Sequence, residues 1–148
     1  MEDRAKDVEV FWTERVLQPE SNGQFGEGGA GTFSDGKLNT LVKDKNRRGR
    51  FVLEEMVKAG APEEILYVNK PHVGTDRLRN MVRNLREEII SLGGYIRFQT
   101  RLTDFQTGEQ GEIRKVLLES TSGEREWVET RALMLGIGHS ARDTFALL

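Results

Sequence analysis

The sequence has 148 residues, about one domain at ~100–200 residues per domain. Its 22 basic and 24 acidic residues nearly balance, so it lacks the basic excess typical of general nucleic-acid binders and of proteins that bind anionic membranes. It contains no cysteine and two histidines, which excludes disulfide scaffolds and thiolate metal sites and predicts no metal site. Glycine is concentrated: six of the 16 glycines fall within residues 23–36.

The N-terminal residues are charged from position 2 and contain no apolar stretch of the kind found in a signal peptide. The most apolar run, residues 132–137, is far shorter than the ~20 residues of a membrane span. We therefore expect a cytoplasmic protein with neither a membrane nor a nucleic-acid partner.

Helical spacing of apolar residues predicts three helices before residue 70, at residues 2–17, 51–57 and 62–66. The clearest helix covers residues 75–93, with Thr75 as the predicted N-cap and Gly93 and Gly94 as the stop. We interpret the arginines on its polar face as solvent-exposed side chains in ion pairs within the helix.

A long segment without periodicity follows the first helix. Residues 18–44 are rich in glycine, serine and asparagine and show neither helical nor strand spacing. Structureless loops of this length are uncommon in compact domains and usually serve a function or remain disordered. We interpret the segment as a functional loop, and a flexible surface loop that binds nothing is the alternative.

Residues 95–131 predict an antiparallel β-meander. Apolar and polar residues alternate from its first residue, and two further strands are predicted at residues 113–120 and 125–130. A turn at Ser122 and Gly123 joins these two strands.

A continuous apolar run predicts a last strand at residues 132–135, buried on both faces. Gly136 and Gly138 form the predicted turn after this strand, and a helix begins at His139. Helices and strands in this order predict an α/β fold.

The glycines of the loop fit two phosphate-binding motifs only in part. Gly26, Gly28 and Gly31 match GxGxxG, but no hydrophobic strand precedes them, as the dinucleotide fingerprint requires. Residues 31–37 match GxxxxGK, but Leu38 stands where a P-loop needs a magnesium-binding hydroxyl.

The residue types nevertheless suit a phosphate group. Glycines lack Cβ and therefore allow several backbone N–H groups to converge on one anion. Thr32 and Ser34 add hydroxyl donors, and Lys37 adds a positive charge. The turn at Gly136 and Gly138 is a second candidate, because a glycine turn that opens a helix presents N–H groups and the positive end of the helix dipole. A tight turn without a ligand is the alternative there.

Three stretches together resemble a family of FAD-dependent dehydrogenases within the glutathione-reductase-like flavoproteins. The stretches are residues 24–38 (QFGEGGAGTFSDGKL), residues 70–76 (KPHVGTD) and residues 136–145 (GIGHSARDTF). They are long, they occur in the same order, and the resemblance covers essentially the whole chain.

The resemblance implies FAD as the cofactor, with NAD(P) as a candidate electron partner. It also implies that residues 18–44 are the glycine-rich cofactor loop. The cofactor-binding residues that it implies are Gly28, Gly29, Gly31, Thr32, Ser34, Lys37, Arg101, Leu102, Gly136, Gly138 and His139. The first five would lie near the pyrophosphate and the ribityl chain, with Lys37 nearer the isoalloxazine ring. The backbone of Arg101 and Leu102 would contact adenine, and the last three residues would form a second cofactor-contacting turn.

The catalytic residues and the small-molecule substrate are not specified by the resemblance. His72 precedes the long helix, where it could act as an acid or base near the substrate. A histidine that caps the entry to the helix is the alternative.

Relatives in that family begin with a strand, a GxGxxG turn, a helix and a second strand, and this sequence contains none of these. We therefore expect residues 1–148 to form a single partial FAD-binding domain with a Rossmann-like fold and an antiparallel excursion. This expectation makes the chain an internal fragment of a larger enzyme. A missing flanking domain or an oligomer would then cover its open sheet.

Two other functions remain open. The chain could be a nucleotide- or phosphate-binding module without redox chemistry, with residues 31–37 as an imperfect P-loop. It could also be a non-catalytic truncated fragment, or a small interaction domain with a disordered glycine loop.

Overall fold

The computed structural model describes residues 1–34, 36–38 and 43–148, so part of the predicted cofactor loop, at residues 35 and 39–42, lies outside the described residues. The chain forms two compact units, Met1–Tyr95 and Ile96–Leu148. The first is helical and the second contains a small antiparallel sheet, so the chain is a mixed α and β protein.

The first unit contains three α-helices and two 3₁₀ turns. The helices are α1 (Glu2–Glu14), α2 (Arg48–Lys58) and α3 (Thr75–Ser91), and the 3₁₀ turns are Ala30–Phe33 and Glu63–Leu66. Their order agrees with the predicted helices, while several bounds differ.

Helix α1 ends three residues earlier than predicted. Arg15 takes a left-handed conformation with φ +59°, and its N–H donates to the carbonyl of Phe11. This is a common way for a helix to terminate. Val16 and Leu17, which the prediction included, are exposed and gain no burial that would extend the helix.

Helix α3 begins at Thr75, so the prediction that Thr75 is the N-cap was wrong. Gly74 holds the cap position with φ +81°, a conformation that favours glycine. The predicted stop is confirmed, because Gly93 has φ +86° and its N–H donates to the carbonyl of Ile90.

The core of the first unit lies where α3 meets the segment after α2. Its buried side chains are Ala59, Ala61, Ile65, Val73, Leu78 and Met81. Met81 and Leu78 are on the apolar face of α3, as the helical spacing predicted, and this packing fixes the position of α3 within the unit.

The second unit is built on a three-stranded antiparallel sheet. Its strands are β1 (Thr100–Thr107), β2 (Ile113–Ser120) and β3 (Arg125–Glu129), in the order β1-β2-β3. Val116 of β2 is buried, and it pairs with Phe105 on one side and with Val128 on the other. The predicted bounds of β2 and the turn at Ser122 and Gly123 are confirmed.

Two predictions in the second unit were wrong. Residues 95–99 are not a strand, because Gln99 takes φ +52° and interrupts the extended backbone before β1. Residues 132–135 are not a buried strand, and Met134 is 95% exposed. An apolar run becomes a buried strand only when other strands pair with it, and the sheet formed by the described residues consists of β1, β2 and β3 alone.

The last helix, α4 (Arg142–Leu147), begins three residues after the predicted start at His139. The structure describes no helix long and apolar enough to cross a membrane within residues 1–34, 36–38 and 43–148.

Candidate functional site

The strongest candidate site is the glycine segment, which we define as residues 26–34. Gly26, Gly28 and Gly29 all have positive φ, at +114°, +87° and +66°. The 3₁₀ turn follows directly, and the N–H of Thr32 donates to the carbonyl of Gly29 over 3.4 Å. The glycines therefore build one compact turn rather than an irregular loop.

Arg4 of α1 holds this turn, and the sequence analysis missed it. Its side chain is 4% exposed and donates four hydrogen bonds to backbone carbonyl oxygens. These join Nε to Asn22 (2.8 Å), Nη1 to Gly26 (3.2 Å) and Glu27 (2.6 Å), and Nη2 to Gly29 (3.0 Å). Burial lowers the pKa of the Arg4 guanidinium, while the Glu27 carboxylate opposes that shift.

Arginines of α3 hold the segment from another side. Arg86 Nη1 lies 3.0 Å from Glu27 Oε2, and both side chains are mostly buried. The guanidinium of Arg79 lies 5.0 Å from the centre of the Phe33 ring, a cation–π contact. These two contacts lie in the glycine segment, so the interpretation of the arginines as paired within the helix was wrong for Arg79 and Arg86. Arg79 is exposed to solvent, as expected, whereas Arg86 is mostly buried.

The glycines of the segment are required for different reasons. A Cβ at Gly26 would lie 2.6 Å from Arg4 Cδ, and a Cβ at Gly28 would collide with Thr32 Oγ1. Gly29 has open space around it and needs only its positive φ. Gly31 has no positive φ, and a Cβ added there would meet no atom within 4 Å, so the packing of the described residues does not require glycine at this position.

The five predicted residues of the segment lie together, but their side chains differ. Thr32 is fully buried, and its Oγ1 has no hydrogen-bond partner among the described residues. Ser34 is exposed, and its hydroxyl donates to the carbonyl of Gly31 over 3.3 Å. The surface of the turn is therefore formed by backbone and by Ser34, with the Thr32 hydroxyl beneath it.

Lys37 is joined to His72 by an isolated antiparallel bridge. The N–H of Leu38 donates to Pro71 (2.9 Å) and the N–H of Val73 donates to Gly36 (3.2 Å). Lys37 and His72 are therefore a non-hydrogen-bonded pair, the kind whose side chains leave the strands close together on one side. Both are exposed, so two of the sequence stretches singled out above meet at this bridge.

A cavity of about 530 Å³ lies between α1 and residues 17–25, and Phe33 of the glycine segment also lines it. It is mainly apolar, and its lining residues are Val8, Phe11, Trp12, Leu17, Pro19, Asn22, Gly23, Gln24, Phe25 and Phe33. Phe33 belongs to both the cavity and the 3₁₀ turn. A volume of this size and an aromatic lining are typical of sites for small organic molecules.

The other predicted cofactor residues belong to the second unit. Arg101 is exposed and lies 3.1 Å from Glu119, and Leu102 is half-buried opposite Leu118 in β2. Hydrogen bonds from Arg101 and Arg125 lower the pKa of the Glu119 carboxyl.

Gly136, Gly138 and His139 are exposed and lie outside any helix or strand. Gly138 has φ +68°, and the hydroxyl of Ser140 lies 3.2 Å from His139 Nε2. The predicted turn thus has a left-handed residue, but it does not connect a strand to a helix.

Within the described part of the chain, no group of three or more histidine, aspartate or glutamate side chains could hold a metal ion. No family model matches the chain. Over all 148 residues it is 47% identical to a protein of Clostridium beijerinckii that is described only as uncharacterized. The match covers 26% of that protein, so the chain spans about a quarter of the length of this relative.

Proposed function

We propose that the chain supplies the glycine segment of an FAD site in a flavin-dependent oxidoreductase. The observation that carries this proposal is Gly31, a glycine that neither backbone conformation nor packing requires. A ligand that approaches the backbone closely is a reason for glycine at such a position, and a pyrophosphate is a ligand of this kind. The resemblance of residues 24–38 to FAD-dependent dehydrogenases is the reason for proposing FAD as this ligand.

The residues of the segment suit an anionic cofactor. The outer face over Gly29 and Gly31 is open, and Ser34 adds an exposed hydroxyl. The aromatic cavity beside Phe33 suits a planar ring. Bound FAD would supply the electron transfer, and Lys37 would contribute a positive charge that favours the anionic reduced ring.

The Rossmann-like fold and the second contact region are parts of the same proposal. Arg101 and Leu102 would contact adenine, and Gly136, Gly138 and His139 would form the second cofactor-contacting turn. In a whole protein about four times longer, as the Clostridium relative is, further strands would pair with residues 132–135.

A P-loop mechanism receives less support from the geometry. In a P-loop the lysine stands at the start of a helix, where it reaches the phosphates together with the N-terminal amides. Lys37 instead pairs with His72 in a β-bridge. Binding of ATP rather than FAD would favour the phosphate-binding module without redox chemistry.

The test compares two glycine-to-alanine variants for FAD affinity, measured by calorimetry, and for melting temperature. Gly31→Ala should leave the fold intact or stabilise it by about 0.4–1 kcal/mol, because alanine restricts the unfolded chain, yet it should weaken FAD binding at least tenfold. Gly123→Ala is the control, since Gly123 also has open space but lies in the turn between β2 and β3. Its positive φ of +83° makes alanine lower the melting temperature there, while FAD affinity should not change.

The same measurement applies to the purified Clostridium relative, which contains the aligned region within its full length. FAD bound by the chain or by this relative supports the proposal. If neither binds FAD, or if Gly31→Ala binds it as well as the wild type does, the proposal is wrong.

A further inference from the structure

Arg4 is a buried charge whose hydrogen bonds all go to one short stretch of backbone. Burying a guanidinium costs several kcal/mol unless its N–H groups find acceptors. Four of the five N–H donors of Arg4 are accounted for by carbonyl oxygens, three of them in the glycine segment. The charge is therefore satisfied by the turn and is not presented to a ligand.

These bonds fix the direction of three peptide groups. In a trans peptide the carbonyl of one residue and the N–H of the next point in opposite directions. Because the carbonyls of Gly26, Glu27 and Gly29 point toward Arg4, the N–H groups that follow each of them point away from it. Those three amides belong to Glu27, Gly28 and Ala30.

We propose that Arg4 is the positioning residue of the cofactor site, because it turns the amides of Glu27, Gly28 and Ala30 outward toward a phosphate group. This inference rests on the proposed function. Backbone amides on the outer side of a glycine turn are donors of the kind that bind phosphate oxygens. Arg4 acts from behind the turn and does not itself touch the cofactor.

Two further contacts make arginine specific at this position. The guanidinium lies 4.8 Å from the centre of the Phe33 ring, which packs on it. Glycine at position 26 leaves room for the Arg4 side chain, since a Cβ at this position would collide with it. Lysine has a single ammonium and no planar fork, so it cannot reach four carbonyls in these directions.

The test uses Arg4→Lys, with Arg83→Lys as the matched control. Arg83 lies 2.8 Å from Glu2 of α1, so it pairs with a side chain of the same helix and not with the carbonyl groups that Arg4 binds. Amide hydrogen exchange without ligand should speed up at least tenfold in residues 24–34 of Arg4→Lys and remain unchanged in α2. FAD affinity, measured by calorimetry, should fall at least tenfold in Arg4→Lys and less than twofold in Arg83→Lys.

A variant that is destabilised elsewhere shows whether lower stability alone weakens FAD binding. Ile65→Val removes one methylene from the core, away from the glycine segment, and should lower the melting temperature without changing FAD affinity. If Arg4→Lys does not fold, amide exchange of the wild-type chain supplies the test. FAD should slow the exchange of the amides of Glu27, Gly28 and Ala30 at least tenfold, and exchange at these amides that FAD leaves unchanged would overturn the proposal.

The outcomes separate the two proposals. A wild-type chain and relative that bind no FAD would overturn the proposed function, and the exchange measurement would then decide the role of Arg4 alone. Wild-type binding that Arg4→Lys leaves unchanged, or exchange in residues 24–34 that it leaves unchanged, would overturn the role of Arg4.

Discussion

The glycine segment and residues 136–138 both contain a GxG triplet, but their structures differ. The glycine segment is held by Arg4 from α1 and by Arg79 and Arg86 from α3. Residues 136–138 are exposed or half-buried and lie outside any helix or strand. Glycines permit a turn, but side chains from neighbouring elements are what give it one conformation.

The cores of the two units explain part of this difference. In the first unit, α3 is anchored by a cluster of buried apolar side chains that includes Leu78 and Met81. Within residues 96–148, all of which the structure describes, Val116 is the one buried apolar residue. A helix with a firm core behind it can hold a turn in place, and the second unit offers less support of this kind.

The largest difference in stability should come from replacing one glycine in each turn by alanine. Gly28→Ala should destabilise the first unit by roughly 3 kcal/mol, because alanine is strained at φ +87° and its Cβ collides with Thr32. Gly136→Ala meets no atom within 4 Å and should change stability by less than about 0.5 kcal/mol. Urea unfolding followed by circular dichroism measures the helical first unit.

The second unit needs a separate probe for this comparison. In a Trp12→Phe background, Trp127 is the remaining tryptophan, and it lies on β3 opposite Leu117. Its fluorescence therefore follows the sheet. A Gly28→Ala chain as stable as the wild type would mean that the turn is not packed as the structure describes it.

Two ion pairs, one in each unit, provide a smaller contrast. Glu27 is 13% exposed, lies 3.0 Å from Arg86 and lies 2.7 Å from the amino group of Met1. Glu27→Gln leaves mostly buried positive charge without its partner and should destabilise the first unit by about 1–2 kcal/mol.

The control for that variant is Glu126→Gln, whose partner Arg97 is half-exposed. Ion pairs at the surface contribute little, so urea unfolding of the second unit should not change measurably. Equal effects of the two variants would contradict the difference in burial between the two pairs.

The sequence predicted the features that depend on residues close together in the chain. The apolar residues of β2, bounded by a turn at Ser122 and Gly123, and the apolar stripe of α3 are local patterns. Both elements are where they were expected. Arg4 was missed because its acceptors are carbonyl groups 18 to 25 residues later in the chain, and no side-chain pattern marks a carbonyl. The pairing of Arg79 and Arg86 was misread for a related reason, since their contacts with Phe33 and Glu27 lie in the glycine segment.

The predicted strand at residues 132–135 failed for the opposite reason. Its apolar composition suits burial on both faces, but a strand also needs partners for its backbone N–H and C=O groups. The local sequence carries information about burial and none about which strands are available. In the longer flavoprotein that we propose, further strands would pair with residues 132–135.

The smallest expected effect is on the acid sensitivity of the second unit. Hydrogen bonds from Arg101 and Arg125 hold the pKa of Glu119 below its ordinary value. A carboxyl with a lowered pKa in the folded state stabilises that state above its unfolded pKa, which is about 4.3 for glutamate. That stabilisation is lost as the pH falls through the lower, folded value.

Glu119→Gln removes the titrating group and should flatten the loss of melting temperature below about pH 4.5, as followed by Trp127 fluorescence. Asp44 is the counterpart in the first unit, because the amides of Gly49 and Arg50 lower its pKa at the start of α2. Asp44→Asn should flatten the acid response of the helical signal and leave that of Trp127 unchanged. If either variant changed both the helical signal and the Trp127 signal, the two units would not unfold independently. The different stabilities of their glycine turns could then not be assigned to the separate cores of the two units.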